Sequence, residues 1–518
     1  MRRPLGQFAV DAVAAAGLAF LGFCIVHLAT LPLANGDMYW QTRAGELILQ
    51  TGAIPDRDTF SYTIYGTPWN NHEWGFEILA ALLHAAAGWG GFRLLVLVLC
   101  GGTATAVALT LARRNGMALA LTGATGFLVL GWYKFIPAPQ AVSMVLFLLG
   151  CRLFLGPKLL ASWWRLAALA AYLLVWGNLT AEAVVFLPFV AFDQLMCLAG
   201  RGSGSTPSES LTPGARGVRL AILGLVLLAP FLNPPGVSVF EYALLGTSVN
   251  RLVNIEFRHL WESAATVAPG VKNLARALAL VYPVWGGLRV VRARDRWDEG
   301  RRFGLGLLAV LGATLYERNL WMLTLPLVQA LSALGNWARV SRREIFTDIA
   351  ALLAAAAMFL LFLRAVPWWS PMLAARELTS ARHCREHLSP TDLPLACDQA
   401  LAQAPPGKHV LTSRVWASWV IWRAPWLRVF VDGRNLEYPA DVHFAMSAAL
   451  RGRPGVQEFL DHSGTDLVLT APGWLKLPGL AGAPWKRVFA GGGCALYARK
   501  TDAGQGQTPA PRNPTVGD

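Results

Sequence analysis

Two carboxylates stand at the two ends of the first long polar stretch of the chain. Asp37 follows an apolar run that ends near residue 33, and Glu73 directly precedes the next apolar stretch. Carboxylates at the two ends of one loop can lie close together in the folded chain. One of them can then act as a base on a hydroxyl group, or both can bind a divalent cation. The structural alternative is that Asp37 caps a helix beginning near Trp40 while Glu73 is solvated.

The middle and end of the same stretch carry further polar candidates. His72, beside Glu73, is a candidate third ligand or proton shuttle, and its alternative is a simply hydrogen-bonded histidine. Asp56 and Asp58 lie in a proline-containing segment, and we interpret them as turn-forming residues.

Three later residues add charge. Arg318 follows Glu317 between two apolar runs, and its guanidinium group can bind a phosphate through two N–H groups. The alternative is that it pairs with Glu317 or contacts lipid headgroups. Arg258 is a weaker candidate for the same task. Glu182 lies in apolar surroundings, which in a membrane protein indicates a functional residue, and we expect it to line a cavity.

The elements that must position these residues are predicted to be membrane helices. The chain has 518 residues, of which 54% are hydrophobic and 15% charged, and its mean hydropathy is +0.42. That composition is too apolar for an ordinary soluble protein. Apolar runs between residues 8 and 363 predict about eleven spans. The loop of residues 34–91 contains two amphipathic stretches, 40–50, which ends at Gly52, and 74–87.

The net charge of +14 is concentrated in short arginine clusters between the apolar runs. Such clusters are typical of cytoplasmic loops, so we expect a cytoplasmic N-terminus, an extracytoplasmic tail and contact with membrane lipid. We do not expect nucleic-acid binding, because no basic patch lies in a predicted soluble domain.

The tail after residue 367 has a different composition and predicts a small soluble α/β domain over residues 380–500. Short β-type runs occupy 409–412, 429–431, 467–470, 487–489 and 495–498, and helical patterns occupy 416–422, 441–450 and 456–461. Asp432-Gly433-Arg434 ends one of these strands and forms either a site or a turn braced by the arginine. Residues 501–518 are rich in proline, glycine and threonine and are expected to be disordered.

The cysteines give no metal-binding spacing. An oxidising compartment would permit a disulfide among Cys384, Cys397 and Cys494, and the sequence does not decide the pair. Phosphate-binding loops, dinucleotide fingerprints, zinc signatures and nucleophile elbows do not occur in the sequence, which disfavours soluble nucleotide chemistry.

The order of features resembles the GT-C superfamily of polytopic membrane glycosyltransferases, and in particular the protein O-mannosyltransferase and aminoarabinose-transferase type. The matching residues include Gly36-Asp37 with Trp40, Trp69 with His72-Glu73-Trp74, Asn233-Pro234, and Arg318-Asn319-Leu320. The resemblance departs in two places: a single Asp37 stands where an acidic pair is usual, and Asn178-Leu179-Thr180 stands where relatives often have a histidine.

The resemblance implies a mainly α, GT-C-like membrane domain over residues 1–367, located in the cytoplasmic membrane. It implies transfer of a sugar from a polyprenyl-phosphate donor to an envelope acceptor on the outer face, with Asp37 and Glu73 as base or metal ligands. Arg318, His72, Trp40, Glu182 and Arg258 are then candidate substrate-binding residues. The alternative is a non-catalytic or transporter-like membrane protein whose soluble domain binds an envelope polymer.

Overall fold

The computed structural model describes residues 5–30, 33, 35–156, 163–199, 213–236, 238–240, 259–262, 268–365, 393–451, 456–471, 480 and 484–500. The chain divides into two compact units, each discontinuous in sequence. The first consists of Met1–Asp58, Gly66–Leu393 and Gly433–Pro439, and the second of Thr59–Tyr65, Pro394–Asp432 and Ala440–Asp518.

The first unit is helical. In chain order its helices are α1 Leu5–Thr30, α2 Asp37–Thr51, α3 Trp74–Ala87, α4 Trp89–Val96, α5 Gly102–Asn115, α6 Met117–Gly131, α7 Pro139–Phe154, α8 Trp163–Leu179, α9 Leu187–Ala199, α10 Pro213–Leu228, α11 Ser238–Phe240, α12 Pro269–Arg292, α13 Arg296–Leu315, α14 Thr324–Ser341 and α15 Glu344–Ala365. A π-helical turn joins α4 to α5, and 3₁₀ turns occupy Trp132–Lys134, Ala181–Phe186, Ala229–Leu232, Glu317–Leu323 and Asn435–Glu437.

Five stretches of helix in the described part of the chain are long and apolar enough to cross a bilayer: Gly6–Ala29, Trp89–Asn115, Ala181–Ala199, Pro269–Arg292 and Glu344–Arg364. The prediction of a polytopic helical membrane protein is therefore confirmed, whereas the count of about eleven spans stays a prediction. Several other apolar helices are shorter than the roughly 20 residues that a span needs. One of them, α6, is buried on all sides in the helix bundle.

The two helices of the predicted outer loop form as expected. Helix α2 extends the predicted stretch by three residues at its start, and Gly52 ends it in a left-handed conformation, with its N–H donating to the carbonyl oxygen of Ile48. Helix α3 spans the predicted residues 74–87. The two helices pack closely, because a side chain at Gly45 of α2 would collide with the backbone carbonyl of Glu77 in α3.

The second unit contains a five-stranded mixed sheet. Its strands are β1 His409–Leu411, β2 Arg428–Val429, β3 Leu467–Thr470, β4 Trp485–Gly491 and β5 Cys494–Arg499, in the order β2-β1-β3-β5-β4. Strands β1, β2 and β3 are parallel, and β5 runs antiparallel to β3 and β4. Its helices are α16 Asp398–Ala402, α17 Arg414–Arg423, α18 Ala440–Arg451 and α19 Val456–His462. The predicted α/β pattern of the tail is thus confirmed, although the strand predicted at 429–431 is shorter.

Two contacts complete the second unit. The backbone of Phe60 and Tyr62 hydrogen-bonds with both polar groups of Val429, so a segment of the first loop covers the edge strand β2. A disulfide joins Cys397 to Cys494 and decides the pairing that the sequence left open. Cys384 lies outside the described residues.

Candidate active site

One cavity of about 180 Å³ in the first unit collects most of the candidate residues. All of the residues around it belong to that unit. The predicted residues that line it are Asp37, Trp40, His72, Glu73, Glu182 and Arg318. Gly433 and Arg434, from the segment interpreted as either a site or a turn, also line it. Further lining residues that the sequence did not single out as candidates are Gln41, Trp69, Asn70, Asn71, Glu77, Gln140, Tyr316, Asn435 and Glu437. Arg258 lies outside the described residues.

Asp37 is the first residue of α2. Its backbone N–H donates to the side-chain oxygen of Asn35 at 3.3 Å, and its Oδ1 accepts from the indole N–H of Trp40 at 3.3 Å. The first turn of a helix favours a negative charge, because its backbone N–H groups point at that end. Gly433 lies directly against the carboxylate, since a Cβ at this position would overlap Asp37 Oδ1. The carboxylate is therefore held from two sides.

Glu73 immediately precedes α3, and its side chain is 15% exposed. The side-chain amide of Gln41 donates to Glu73 Oε2 at 3.1 Å. Burial raises the pKa of Glu73 to about 8, and the neighbouring carboxylates of Glu77, Asp37 and Glu182 contribute to the rise. At neutral pH the Glu73 carboxyl is thus largely protonated and can donate a hydrogen bond.

His72 is a neutral hydrogen-bonding group. Its pKa is lowered to about 4, mainly by burial and also by the positive charge of Arg318. The hydrogen bond to the Asn70 carbonyl oxygen acts in the opposite direction. Nδ1 lies 2.9 Å from that carbonyl, so it carries the proton. Nε2 is then an acceptor that faces Glu73 Oε1 at 3.7 Å. The proton-shuttle hypothesis for His72 is disfavoured at neutral pH, because the imidazole does not titrate there.

Glu77 is fully buried one helical turn after Glu73. Asn71 donates to its Oε2 at 2.8 Å. Burial raises the pKa of Glu77 to about 8, although the Asn71 hydrogen bond and the charge of Arg434 act in the opposite direction. Sequence spacing could have indicated Glu77 and Gln41. Each lies four residues after a candidate carboxylate, Glu73 and Asp37 respectively, and residues four apart share a helix face.

Arg318 lies at the start of a 3₁₀ turn and forms an ion pair with Glu182. Both side chains are partly buried, 16% and 13% exposed respectively. The hydroxyl of Tyr133 donates to the backbone carbonyl of Arg318 at 3.1 Å. The partner of Arg318 in this ion pair is thus a residue distant in the sequence rather than its neighbour Glu317. Glu317 points into the helix bundle and pairs with Lys272.

Arg434 is the second positive group of the cavity. Its Nη2 donates to Asp58 Oδ1 at 2.5 Å, and its guanidinium lies 4.7 Å from the centre of the Trp69 ring. Both charged side chains of this pair are buried. The interpretation of Asp58 as a turn-forming residue is therefore incomplete. Its backbone N–H donates to the Thr67 carbonyl oxygen and its carbonyl oxygen accepts from the Gly66 N–H, while its carboxylate orients a cavity-lining arginine.

A divalent cation would need several oxygen ligands placed together. The described residues contain no group of three or more histidine, cysteine, aspartate or glutamate side chains placed to bind one metal ion. In the cavity, Glu73 and Glu77 each accept a hydrogen bond from an amide side chain. The sequence-derived hypothesis that Asp37 and Glu73 share a metal stays a prediction, and no chemical step below depends on it.

Comparison with known proteins identifies the fold. The oligosaccharyltransferase of Archaeoglobus fulgidus in the apo form aligns with 90% of this chain and 69% of its own, at 11% identity and a TM-score of 0.50. A second structure is the oligosaccharyltransferase AglB from the same organism in complex with an inhibitory peptide and a dolichol-phosphate. It aligns with 95% of this chain and 74% of its own, at 12% identity and a TM-score of 0.50. The fold is that of the GT-C membrane glycosyltransferases.

ArnT from Cupriavidus metallidurans in the apo state aligns with 94% of this chain and 97% of its own, at 14% identity and a TM-score of 0.47. No model of a known protein family matches the sequence, and a search of curated proteins finds no match. The structural likeness thus establishes the GT-C fold that the sequence predicted, and the chemistry has to be argued from the cavity.

Proposed function

We propose that this chain is a glycosyltransferase of the cytoplasmic membrane, which transfers a sugar from a polyprenyl-phosphate donor to an envelope acceptor on the outer face. The observation that carries the proposal is the single cavity in which Asp37, Glu73 and the Arg318–Glu182 pair meet. The fold supports it, because an oligosaccharyltransferase with the same fold is known in complex with a dolichol-phosphate. A cavity with a base, a proton donor and a guanidinium group contains what the transfer requires.

Arg318 is the proposed contact for the phosphate of the donor. Guanidinium groups carry five N–H donors in a plane and bind phosphate oxygens in pairs. Glu182 orients the guanidinium, and its carboxylate balances the positive charge of Arg318. As the sugar–phosphate bond breaks, negative charge grows on the departing oxygen, and a fixed donor at that point stabilises it.

Asp37 is the proposed base. It accepts the proton of an acceptor hydroxyl group while the hydroxyl oxygen attacks the anomeric carbon of the sugar. The bond from that carbon to the phosphate oxygen breaks, and the polyprenyl phosphate leaves with the electron pair. The hydrogen bond from Trp40 and the close packing of Gly433 keep the carboxylate in one place, which a base requires.

Glu73 is reassigned from base to neutral partner. In its protonated form it adds no charge beside Asp37 and the departing phosphate, and it can donate a hydrogen bond to the substrate. Gln41 then orients Glu73 through its side-chain amide rather than taking part in the transfer itself.

The test is substitution of Asp37 by Asn in the full-length protein. Purified protein in nanodiscs is titrated with undecaprenyl phosphate, and transfer is followed in membranes that contain the natural donor and acceptor. The proposal expects wild-type binding of the lipid and at least a ~100-fold loss of transfer. Unchanged transfer would favour the non-catalytic alternative, in which the chain binds an envelope polymer without acting on it.

A further inference from the structure

Two buried asparagines lie behind the segment that carries Glu73. Asn178 is in the last turn of α8, and Asn233 directly follows the 3₁₀ turn Ala229–Leu232. Neither asparagine is among the described residues that line the cavity. Any role of theirs in the proposed reaction therefore has to act through another residue.

The two asparagines are hydrogen-bonded to each other's backbone neighbours. Asn178 Nδ2 donates to the carbonyl oxygen of Leu232 at 2.9 Å, and Asn233 Nδ2 donates to the carbonyl oxygen of Gly177 at 2.6 Å. Each amide thus binds the carbonyl group of the residue that directly precedes the other asparagine. This reciprocal pair fixes the end of α8 against the 3₁₀ turn.

The same two amides bind the residues on both sides of Glu73. Asn233 Nδ2 also donates to the carbonyl oxygen of His72 at 3.0 Å. Asn178 Oδ1 accepts from the indole N–H of Trp74 at 2.8 Å. Glu73 lies between these two residues, directly before α3. Its backbone is therefore anchored on both sides, and the reciprocal pair links the two anchors.

Close backbone packing adds a third contact. Gly75 lies two residues after Glu73 in the first turn of α3. A Cβ at Gly75 would come within 2.7 Å of the backbone carbonyl oxygen of Asn178. The first turn of α3 thus lies directly against the end of α8, and the hydrogen bonds of the two asparagines act at this contact.

Asn233 contributes most to the arrangement. Its NH₂ group donates to the carbonyl oxygens of both His72 and Gly177. A buried carbonyl group that loses its donor must take up water or move. Replacement of Asn233 by a small apolar residue removes the donor of both carbonyl groups and makes room for water beside the peptide bond between His72 and Glu73.

We infer that Asn178 and Asn233 are positioning residues of the proposed reaction, which hold Glu73 at the cavity by fixing the backbone on both of its sides. The inference rests on the proposed function, and neither asparagine takes part in bond formation or cleavage. Precise placement matters, because a displacement of about 1 Å in an active site can cost on the order of 10²-fold in rate.

The first test observes Glu73 itself and does not depend on sugar transfer. Dicyclohexylcarbodiimide reacts with protonated carboxyl groups, and fragmentation mass spectrometry gives the labelled fraction at Glu73 in the full-length protein in nanodiscs at each pH. The labelling midpoint of the wild-type protein should lie near the pKa of about 8. In Asn233→Ala it should fall by at least ~1 pH unit, because burial is the main cause of the raised pKa and water reduces its effect.

The charges around Glu73 are the same in this comparison. The other ionisable groups that line the cavity near it include Asp37, His72, Glu77, Glu182 and Arg318. Since none of them is substituted and Asn233 is itself uncharged, a lower midpoint reports hydration of Glu73 rather than a change of charge.

The second test measures transfer. Asn233→Ala should slow transfer at least ~10-fold and shift its alkaline decline to lower pH, with undecaprenyl phosphate affinity within a factor of about two of the wild type. Asn115→Ala is the matched control. Asn115 Nδ2 also donates to a backbone carbonyl, that of Ser332 at 3.1 Å, and its Oδ1, like that of Asn233, is buried with no partner in the described part of the chain.

The control differs from Asn233 in its place in the fold. Asn115 joins α5 to α14, and the described cavity-lining residues come from neither helix. Asn115→Ala should lower the melting temperature about as much as Asn233→Ala, and it should leave the labelling midpoint and the rate of transfer unchanged. A merely structural role of Asn233 would give the same pattern in both variants.

A milder variant decides the inference if Asn233→Ala fails to fold. Trp74→Phe keeps an aromatic ring and removes the hydrogen bond to Asn178 Oδ1, so it should lower the midpoint by a smaller amount. An unchanged midpoint in the folded variants would overturn the inference and leave the proposed function standing. A lowered midpoint in a chain that transfers no sugar would refute the proposed function instead, while the two asparagines would still be shown to position Glu73.

Discussion

Substitution of Gly433 by alanine should disable the active site without changing its charge. The added methyl group would overlap Asp37 Oδ1 and come within 3.2 Å of the indole nitrogen of Trp40. The carboxylate therefore has to move by about 1 Å or more, and a displacement of that size in a catalytic group costs on the order of 10²-fold in rate. That corresponds to about 3 kcal/mol of transition-state stabilisation.

The assay is the rate of transfer in membranes that contain Gly433→Ala, beside undecaprenyl phosphate affinity of the purified variant. We expect a ~10²-fold slower transfer and lipid affinity within a factor of about two of the wild type. Gly287→Ala in helix α12 is the control, because a Cβ there meets nothing within 4 Å and should be neutral. Wild-type transfer by Gly433→Ala would refute the view that Asp37 must be held in this position.

Two predictions concern buried ionisable groups. Because the pKa of Glu73 is raised to about 8, its protonated form is lost as the pH rises through that value, so transfer should decline above about pH 8. Glu73→Gln keeps the group neutral and should abolish that decline; an unchanged pH profile would argue against a protonated Glu73. Glu317→Gln should lower the free energy of unfolding by ~3 to 5 kcal/mol, because it removes the negative charge of a buried ion pair with Lys272. Melting of the purified variant measures this, and the double change Lys272→Met with Glu317→Leu should recover much of the loss.

Local sequence patterns predicted the elements of this fold well. Helix α3 begins and ends where its amphipathic pattern does, and Gly52 ends α2 as its position indicated. The strand β3 coincides with the predicted run. These features depend on residues close together in the chain, so turn residues and hydrophobic periodicity are sufficient to locate them.

The partners of the candidate side chains were less predictable. The sequence indicated Asp37, Glu73 and Arg318, but it did not suggest Glu182 as the partner of Arg318. Contacts such as Arg434 with Asp58 join residues 376 positions apart, and no local pattern encodes them. The raised pKa of Glu73 likewise results from burial among other carboxyl groups, which only the folded chain produces.

The central claim is that this chain moves a sugar from a polyprenyl phosphate to an envelope acceptor. Its most direct test is mass spectrometry of lipid-linked sugars and envelope glycans in a strain that lacks the chain. The account predicts that one lipid-linked sugar accumulates and one glycan modification disappears, and that wild-type protein restores both while Asp37→Asn restores neither. Unchanged lipid and glycan profiles in the deletion strain, or full restoration by Asp37→Asn, would contradict it.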